Sequence, residues 1–219
     1  MSIQRALVIG AGGGVGHATA SALTAAGARV LAVGRERDAT DPAQVAALLA
    51  EADPDLVVVA AGARPHMASI EEQSWESFSL TWNVDVKIAF EVGRAALARP
   101  LRPGSTVVIV SSGAGLNPGG SPLSGGYAGA KRMQMFLTSY LQRESDSREL
   151  GIRFVALAPK QFLVGTRIGD GAAAAYGAGS WPVPLDPDGV ARAILSVASG
   201  QEHPDATLLG VTGKGLEAV

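Results

Sequence analysis

Apolar residues recur along this chain in short blocks, and the stretches between the blocks have a different periodicity. The blocks end at glycine or polar residues, which is typical of strands buried on both faces of a sheet. The intervening stretches carry apolar residues three and four positions apart, as amphipathic helices do. The pattern predicts strands at residues 6–9, 29–33, 56–60, 106–110, 152–157 and 207–211.

The stretches between these strands predict helices at 17–26, 42–52, 127–144 and 188–199, with a helical region in two pieces over 70–99. Strands that alternate with helices, without hairpin signals, indicate a parallel sheet covered on both faces. We therefore predict an α/β fold, a Rossmann-like doubly wound parallel sheet in a single domain over residues 1–219. Residues 165–187, rich in Gly, Ala and Pro, have no predicted element, and we expect a substrate loop there.

Composition narrows the choice of partners. The 219 residues carry 18 Lys plus Arg against 20 Asp plus Glu, a net charge of −2, which argues against a nucleic-acid surface. No apolar run reaches the length of a membrane helix, and no leader segment is expected at the start of the chain. Cysteine is absent, which excludes disulfide and thiol chemistry and favours a cytoplasmic location.

A glycine-rich turn follows the first predicted strand and opens the first helix. Glycines in such a turn let the backbone approach a pyrophosphate, which then lies at a helix N-terminus. The spacing fits both Gly-x-x-x-Gly-x-Gly and Gly-x-x-Gly-x-x-Gly, whereas the strict Gly-x-Gly-x-x-Gly fails at Val15. The predicted cofactor contacts are Gly10, Gly12, Gly13, Gly14, Val15 and Gly16.

The end of the second strand bears on the choice of cofactor. Gly34 and Arg35 stand where a carboxylate would accept hydrogen bonds from a ribose 2′-hydroxyl, and an arginine there pairs with a 2′-phosphate. Arg35 therefore favours NADP(H). Glu36 follows directly and keeps NAD(H) possible.

Tyr127 and Lys131 stand four residues apart on a predicted helix, so they share one face. An ammonium in this position can stabilise a phenolate. Asn83 lies upstream on a helix, and a Ser111-Ser112 pair follows the fourth predicted strand. Because the carboxyl ends of parallel strands form the ligand cleft, the serines and the glycine turn are expected at the same edge of the sheet.

With these motifs the chain resembles the short-chain dehydrogenases/reductases over nearly its whole length. The resemblance implies that Tyr127 is the general acid/base and that Ser112 positions the substrate carbonyl. It further implies that Lys131 assists Tyr127 and holds the nicotinamide ribose, while Asn83 anchors a water relay to Lys131. The spacing between Ser112 and Tyr127 is longer than is usual in the family, so Ser111 remains an alternative.

The resemblance also implies further cofactor contacts. Asp38 would face the adenine, although helix capping is an equal alternative for this residue. The remaining implied contacts are Ala60, Ala61 and Gly62 after the third strand, and Tyr127, Lys131, Pro159 and Thr166 on the nicotinamide side. The chain departs from the family at Ile9, at Val59-Ala60-Ala61-Gly62 in place of Asn-Asn-Ala-Gly, and at Lys160.

Together these features predict an NADP(H)-dependent carbonyl reductase or alcohol dehydrogenase acting on a small or apolar carbonyl or hydroxyl substrate. The family suggests a homodimer or homotetramer. No metal is expected, because His66 and His203 lack spaced partners.

One alternative is an epimerase, dehydratase or isomerase without net redox. The glycine spacing at positions 10, 13 and 16 fits this alternative, but a chain of this length leaves no room for the extra substrate domain that such proteins usually have. The other is a non-catalytic dinucleotide-binding sensor. Trp181 and Tyr176 are expected to cap the site.

Overall fold

The computed structural model describes residues 3–118, 122–161, 163, 165–176, 185–200, 202–203 and 205–219. Within these residues the strands are β1 (Arg5–Ile9), β2 (Arg29–Val33), β3 (Leu56–Val59), β4 (Thr106–Val110), β5 (Arg153–Pro159), β6 (Leu208–Thr212) and β7 (Gly215–Ala218). They form one sheet in the order β2-β1-β3-β4-β5-β6-β7. All neighbouring strands are parallel except β6 and β7. The predicted doubly wound α/β fold is confirmed.

Helices cover both faces of this sheet. The helices are α1 (Gly14–Ala25), α2 (Pro42–Ala52), α3 (Trp75–Thr81), α4 (Lys87–Ala98), α5 (Gly125–Ser147), α6 (Arg167–Tyr176) and α7 (Pro187–Ser199). Two separate apolar cores lie against the two faces of the sheet, one with side chains from α2, α4 and α5 and the other with side chains from α1 and α7. No helix of the described part of the chain is long and apolar enough to cross a membrane.

Three predicted elements differ from the observed ones. The chain ends in a β6–β7 hairpin, where no hairpin was expected, because the four-residue edge strand β7 is too short to show a pattern. Helix α6 lies inside the segment predicted to lack structure, where its many alanines favour a helix. Residues 70–99 form four pieces rather than two: a 3₁₀ turn (Ile70–Glu72), α3, a π-helix (Trp82–Val86) and α4.

The sheet reverses its strand order at β1, which has β2 on one side and β3 on the other. The carboxyl ends of β1 and β3 therefore flank a topological switch point, where open α/β sheets bind ligands. The amino ends of the strands, opposite the switch point, carry an ion cluster instead. Arg102 contacts Asp53 and Asp55 at 2.6 Å each, and Asp55 also accepts hydrogen bonds from the backbone amides of Gln4 and Arg5.

Candidate active site

The glycine turn after β1 is held by its own backbone. Gly10 has a φ of 96°, and its N–H donates to the carbonyl of Val33 at 2.8 Å. A Cβ at Gly10 would lie 2.5 Å from the backbone nitrogen of Ala61, and a Cβ at Gly16 would collide with the Gly10 carbonyl oxygen. Glycine is therefore required at both positions for the turn to pack between β1, β3 and α1.

At two other glycines of the turn, the space that a Cβ would occupy is open. A Cβ at Gly12 or at Gly13 would meet no heavy atom of the described residues within 4 Å. Gly13 is the N-cap of α1 and offers no side-chain cap, so the first amides of the helix are open to a ligand. This open backbone at the positive end of a helix fits a pyrophosphate.

Gly14 and Val15, two of the predicted cofactor contacts, also pack against other parts of the protein. Gly14 has a φ of 52°, and a Cβ there would lie 3.2 Å from the methyl group of Thr166. The Val15 side chain is buried in the core beneath α1, so only its backbone can face a phosphate.

At the end of β2, the Glu36 carboxylate folds back onto the strand. Its Oε1 accepts a hydrogen bond from the Gly34 N–H at 2.6 Å, and this hydrogen bond is the main reason that the pKa of Glu36 is lowered. Arg35 is exposed, and no ion pair involves it among the described residues. Arg35 and Glu36 thus both follow the end of β2, where the adenosine ribose is expected.

Asp38 forms a turn with its own neighbourhood. Its Oδ1 accepts hydrogen bonds from the backbone amide of Thr40 at 2.8 Å and from the Thr40 hydroxyl at 2.7 Å, which lower the pKa of Asp38. Helix α2 is capped by Asp41, not by Asp38. The predicted adenine contact of Asp38 stays a prediction.

Lys131 lies in the interior beside Tyr127, as the spacing on α5 predicts. The Lys131 side chain is 6% exposed, and its Nζ lies 5.6 Å from the centroid of the half-buried Tyr127 ring. Burial on its own lowers the pKa of Lys131. The carboxylate of Asp85 and the Tyr127 oxygen act in the opposite direction and outweigh burial, so the pKa of Lys131 is raised. Lys131 is therefore a protonated ammonium at the carboxyl edge of the sheet.

The two serines after β4 have different surroundings. Ser111 is buried, and its hydroxyl donates to the backbone carbonyl of Lys131 at 2.8 Å, which pins β4 to α5. Ser112 is half-buried, and its Oγ accepts a hydrogen bond from the Ala114 amide at 3.3 Å, while its proton has no acceptor among the described residues. Of the two, Ser112 has the hydroxyl that a substrate can reach.

The part of Asn83 in a water relay to Lys131 stays a prediction. The Asn83 side chain is exposed, and its amide donates to the Ser79 hydroxyl at 3.2 Å. The residue that meets Lys131 is Asp85, with Oδ2 at 3.0 Å from Nζ. Asn83 and Asp85 both lie on the π-helix (Trp82–Val86), on which Asn83 is exposed and Asp85 is buried.

The sequence contained a signal for Asp85 that reasoning from motifs missed. Ala89, Val92 and Ala96 are fully buried along α4, and stepping back four residues from Ala89 leads to Asp85. This stripe has the spacing of a buried helical face. A carboxylate on such a stripe needs a cationic partner in the interior.

The segment after β3 lacks the asparagines of the family motif, and other groups hold it. The Ala60 amide donates to the carbonyl of Ile9 at 2.8 Å, and Ala61 lies against the glycine turn. The Ala63 amide donates to Oδ1 of Asp85 at 2.8 Å. A Cβ at Gly62 would come within 2.7 Å of the same carboxylate, which explains the glycine there.

On the predicted nicotinamide side, Pro159 is the buried last residue of β5. Thr166 caps α6: its hydroxyl accepts from the Gly169 amide at 3.0 Å and donates to the Leu163 carbonyl at 2.8 Å. The aliphatic chain of Lys160 lies against Gly210, and its ammonium pairs with Glu217 at 2.5 Å.

Of the two aromatic residues expected to cap the site, Trp181 lies outside the described residues and Tyr176 is the last residue of α6. In the described part of the chain, no three acidic or imidazole side chains are grouped as metal ligands would be.

A sheet with this strand order, an open glycine turn at its switch point and a lysine–tyrosine pair beyond β4 defines a dinucleotide-binding α/β protein. The sequence matches the model of the NAD dependent epimerase/dehydratase family over residues 6–161. Since this match covers more than half of the chain, the chain belongs to that family. No curated protein matches the sequence.

Solved structures share the fold across nearly the full chain. A short chain dehydrogenase from Mycobacterium avium is 23% identical, with a TM-score of 0.77 over 99% of this chain and 84% of that chain. A short chain dehydrogenase from Burkholderia cenocepacia J2315 in complex with NADP is 23% identical, with a TM-score of 0.75 over 95% of each chain. A ribose-5-phosphate isomerase from Brucella melitensis 16M is 20% identical, with a TM-score of 0.79 over 94% of this chain and 88% of that chain. The predicted resemblance to short-chain dehydrogenases/reductases is confirmed.

Proposed function

We propose that this protein is an NADP(H)-dependent oxidoreductase, a carbonyl reductase or alcohol dehydrogenase for a small or apolar substrate. The observation that carries the proposal is the Lys131 ammonium 5.6 Å from the Tyr127 ring centroid, on the helix that follows Ser112. A proton donor, a cation and a hydroxyl at the carboxyl edge of a parallel sheet suit acid–base chemistry on a carbonyl oxygen.

The bound cofactor would supply or accept a hydride at the substrate carbon. In the reducing direction, Tyr127 gives its phenolic proton to the carbonyl oxygen as negative charge develops there. Ser112 donates a hydrogen bond to the same oxygen and holds it in place. Lys131 stabilises the resulting phenolate until Tyr127 is reprotonated.

The preference for NADP(H) rests on the exposed Arg35, whose guanidinium suits a 2′-phosphate. Glu36 favours NAD(H) instead, because its carboxylate on the Gly34 amide would accept hydrogen bonds from a ribose and repel a phosphate. Comparing kcat/KM for the two cofactors decides between them. A ratio in favour of NAD(H) would overturn the NADP(H) preference without affecting the reaction class.

The test of the reaction is turnover with a panel of carbonyl substrates and a Tyr127→Phe variant. We expect Tyr127→Phe to lose turnover by at least about 10²-fold, the scale of general acid–base catalysis, while binding of NADPH is kept. Tyr140→Phe is the matched control, since Tyr140 is an exposed tyrosine on the same helix. Unchanged turnover in Tyr127→Phe would refute the assignment.

The alternative is an epimerase, dehydratase or isomerase that keeps the cofactor but has no net redox. The observation in its favour is the family model itself, which is described as NAD dependent epimerase/dehydratase. Stoichiometric consumption of NADPH with product formation supports the oxidoreductase, and product formed without consumption supports the alternative. Cofactor binding without turnover across the panel would indicate a dinucleotide-binding sensor.

A homodimer or homotetramer is also proposed. Its support is a set of exposed aromatic side chains on the paired helices α4 and α5: Phe90, Phe136 and Tyr140. Such apolar surface is typical of subunit contacts. Light scattering after gel filtration measures the mass, and a monomer at micromolar concentration would refute the proposal. The cytoplasmic location stays a prediction.

A further inference from the structure

Asp85 is a fully buried carboxylate that the family motif does not include. It is 0% exposed and lies on the π-helix between α3 and α4. Its two oxygens face different parts of the site. Oδ1 accepts the Ala63 amide at 2.8 Å, and Oδ2 lies 3.0 Å from Nζ of Lys131. One side chain thus connects the segment after β3, which borders the glycine turn, to the lysine beside Tyr127.

Lys131 has two further polar contacts in the interior. Its Nζ lies 3.1 Å from Oε1 of Gln134 and 3.4 Å from the carbonyl of Val110. Gln134 in turn donates from Nε2 to the backbone carbonyl of Asp85 at 2.9 Å. An ammonium has three N–H donors. Two of them have hydrogen-bond acceptors in Gln134 and the Val110 carbonyl, and the Asp85 carboxylate, whose Oδ2 has no hydrogen-bond partner among the described residues, pairs with the charge at 3.0 Å. Gln134 therefore links Lys131 to the Asp85 carbonyl.

The charges of Lys131 and Asp85 both bear on Tyr127. A buried ammonium and a buried carboxylate 3.0 Å apart compensate each other, so the field that Lys131 exerts on Tyr127 is weakened by the carboxylate behind it. Among the described residues, the titratable groups that act on Lys131 are Asp85 from the π-helix and Tyr127 from its own helix. Strand β4 contributes only the Val110 carbonyl, and α5 adds the neutral Gln134.

We propose that Asp85 is a positioning residue, which fixes Lys131 against Tyr127 and sets the pH range of the reaction by compensating the ammonium charge. The proposal rests on the proposed function, in which Tyr127 exchanges the proton. Without the carboxylate, the full charge of Lys131 would act on Tyr127, whose ring centroid lies 5.6 Å from Nζ, and the phenolate would form at lower pH.

The test is Asp85→Asn, which keeps an oxygen for the Ala63 amide but removes the charge. In the alcohol-oxidising direction, the acid limb of the kcat/KM profile should move by about one pH unit toward lower pH. Gln134→Glu places a second carboxylate beside Lys131 and should move the limb in the opposite direction, which keeps the sign testable if the first variant folds poorly. Asp188→Asn, an exposed substitution on α7 at the other face of the sheet, should leave the limb in place.

A second readout separates this proposal from the reaction itself. NMR titration of protein labelled at the lysine ε-carbons follows Lys131 directly, without turnover. The Lys131 resonance should stay that of an ammonium to higher pH in the unaltered protein than in Asp85→Asn. If the unaltered protein has no turnover, the proposed function fails, and the titration still decides whether Asp85 and Lys131 are paired. An unchanged titration, or an unmoved acid limb in an active Asp85→Asn, overturns the proposal.

Discussion

Replacing Ser111 and Ser112 by alanine, one at a time, distinguishes a structural role from a catalytic role at two adjacent positions after β4. Ser111 gives up a buried hydrogen bond of 2.8 Å to the Lys131 carbonyl when its hydroxyl is removed. Ser112 gives up only a 3.3 Å hydrogen bond from the Ala114 amide, at a half-buried position. The two substitutions remove the same atom, so each is the matched control of the other.

The expected magnitudes follow from these contacts. Ser111→Ala should lower the free energy of unfolding by about 1 kcal/mol, which for a domain of this size lowers Tm by about 2–4 °C. Its kcat/KM should stay within about threefold, because the buried hydroxyl cannot reach a substrate. Ser112→Ala should lower kcat/KM by about 10²–10³-fold, the cost of one lost donor to a developing oxyanion, and change stability by about 0.5 kcal/mol or less.

Thermal unfolding and steady-state kinetics on the two purified variants measure both quantities. The reverse pattern, with Ser111→Ala inactive and Ser112→Ala fully active, would refute the reasoning and make Ser111 the catalytic serine. Loss of activity in both variants would show that the Ser111 hydrogen bond controls the placement of Lys131 as well.

Three further predictions concern other parts of the fold. Glu36→Gln should raise kcat/KM for NADPH relative to NADH by about tenfold or more, since a carboxylate leaves the ribose site; an unchanged ratio would exclude Glu36 from that site. Gly16→Ala should destabilise the protein by at least about 2 kcal/mol in thermal unfolding, because its Cβ collides with the turn, whereas Gly12→Ala should keep Tm and weaken cofactor binding. Burial raises the pKa of Asp55, but hydrogen bonds from Arg102 and two backbone amides outweigh it and lower that pKa. The stability from this ionised carboxylate is therefore present above about pH 4 and lost as pH falls through the lowered pKa, so Asp55→Asn should cost about 1 kcal/mol at pH 7 and progressively less as pH falls below about 4 in urea unfolding.

Local patterns were sufficient for most of the fold. The buried strands β1 and β3 are continuous apolar runs that end at glycines, so their place and direction could be predicted. Strand β7 could not, because a half-exposed edge strand is recognised by its pairing with β6 rather than by its own residues. The same holds for Ser111 and Ser112, whose different burial depends on the packing of α5 against β4.

Sequence reasoning did not single out Asp85, the residue on the π-helix that pairs with Lys131. An α-helix places residues four apart on one face, so a motif fixes its side chains only while that period holds. A π-turn inserts an extra residue, and the positions before and after it no longer share one register. Asp85 still lies in register with the buried stripe of α4, whereas Asn83, two residues before it, is exposed. The bulge is maintained by tertiary contacts, chiefly Asp85 with Lys131 and Gln134 with the Asp85 carbonyl, which join residues distant in sequence. Because these contacts also charge-compensate the lysine, the structural irregularity and the electrostatics of the candidate site have a common origin in Asp85.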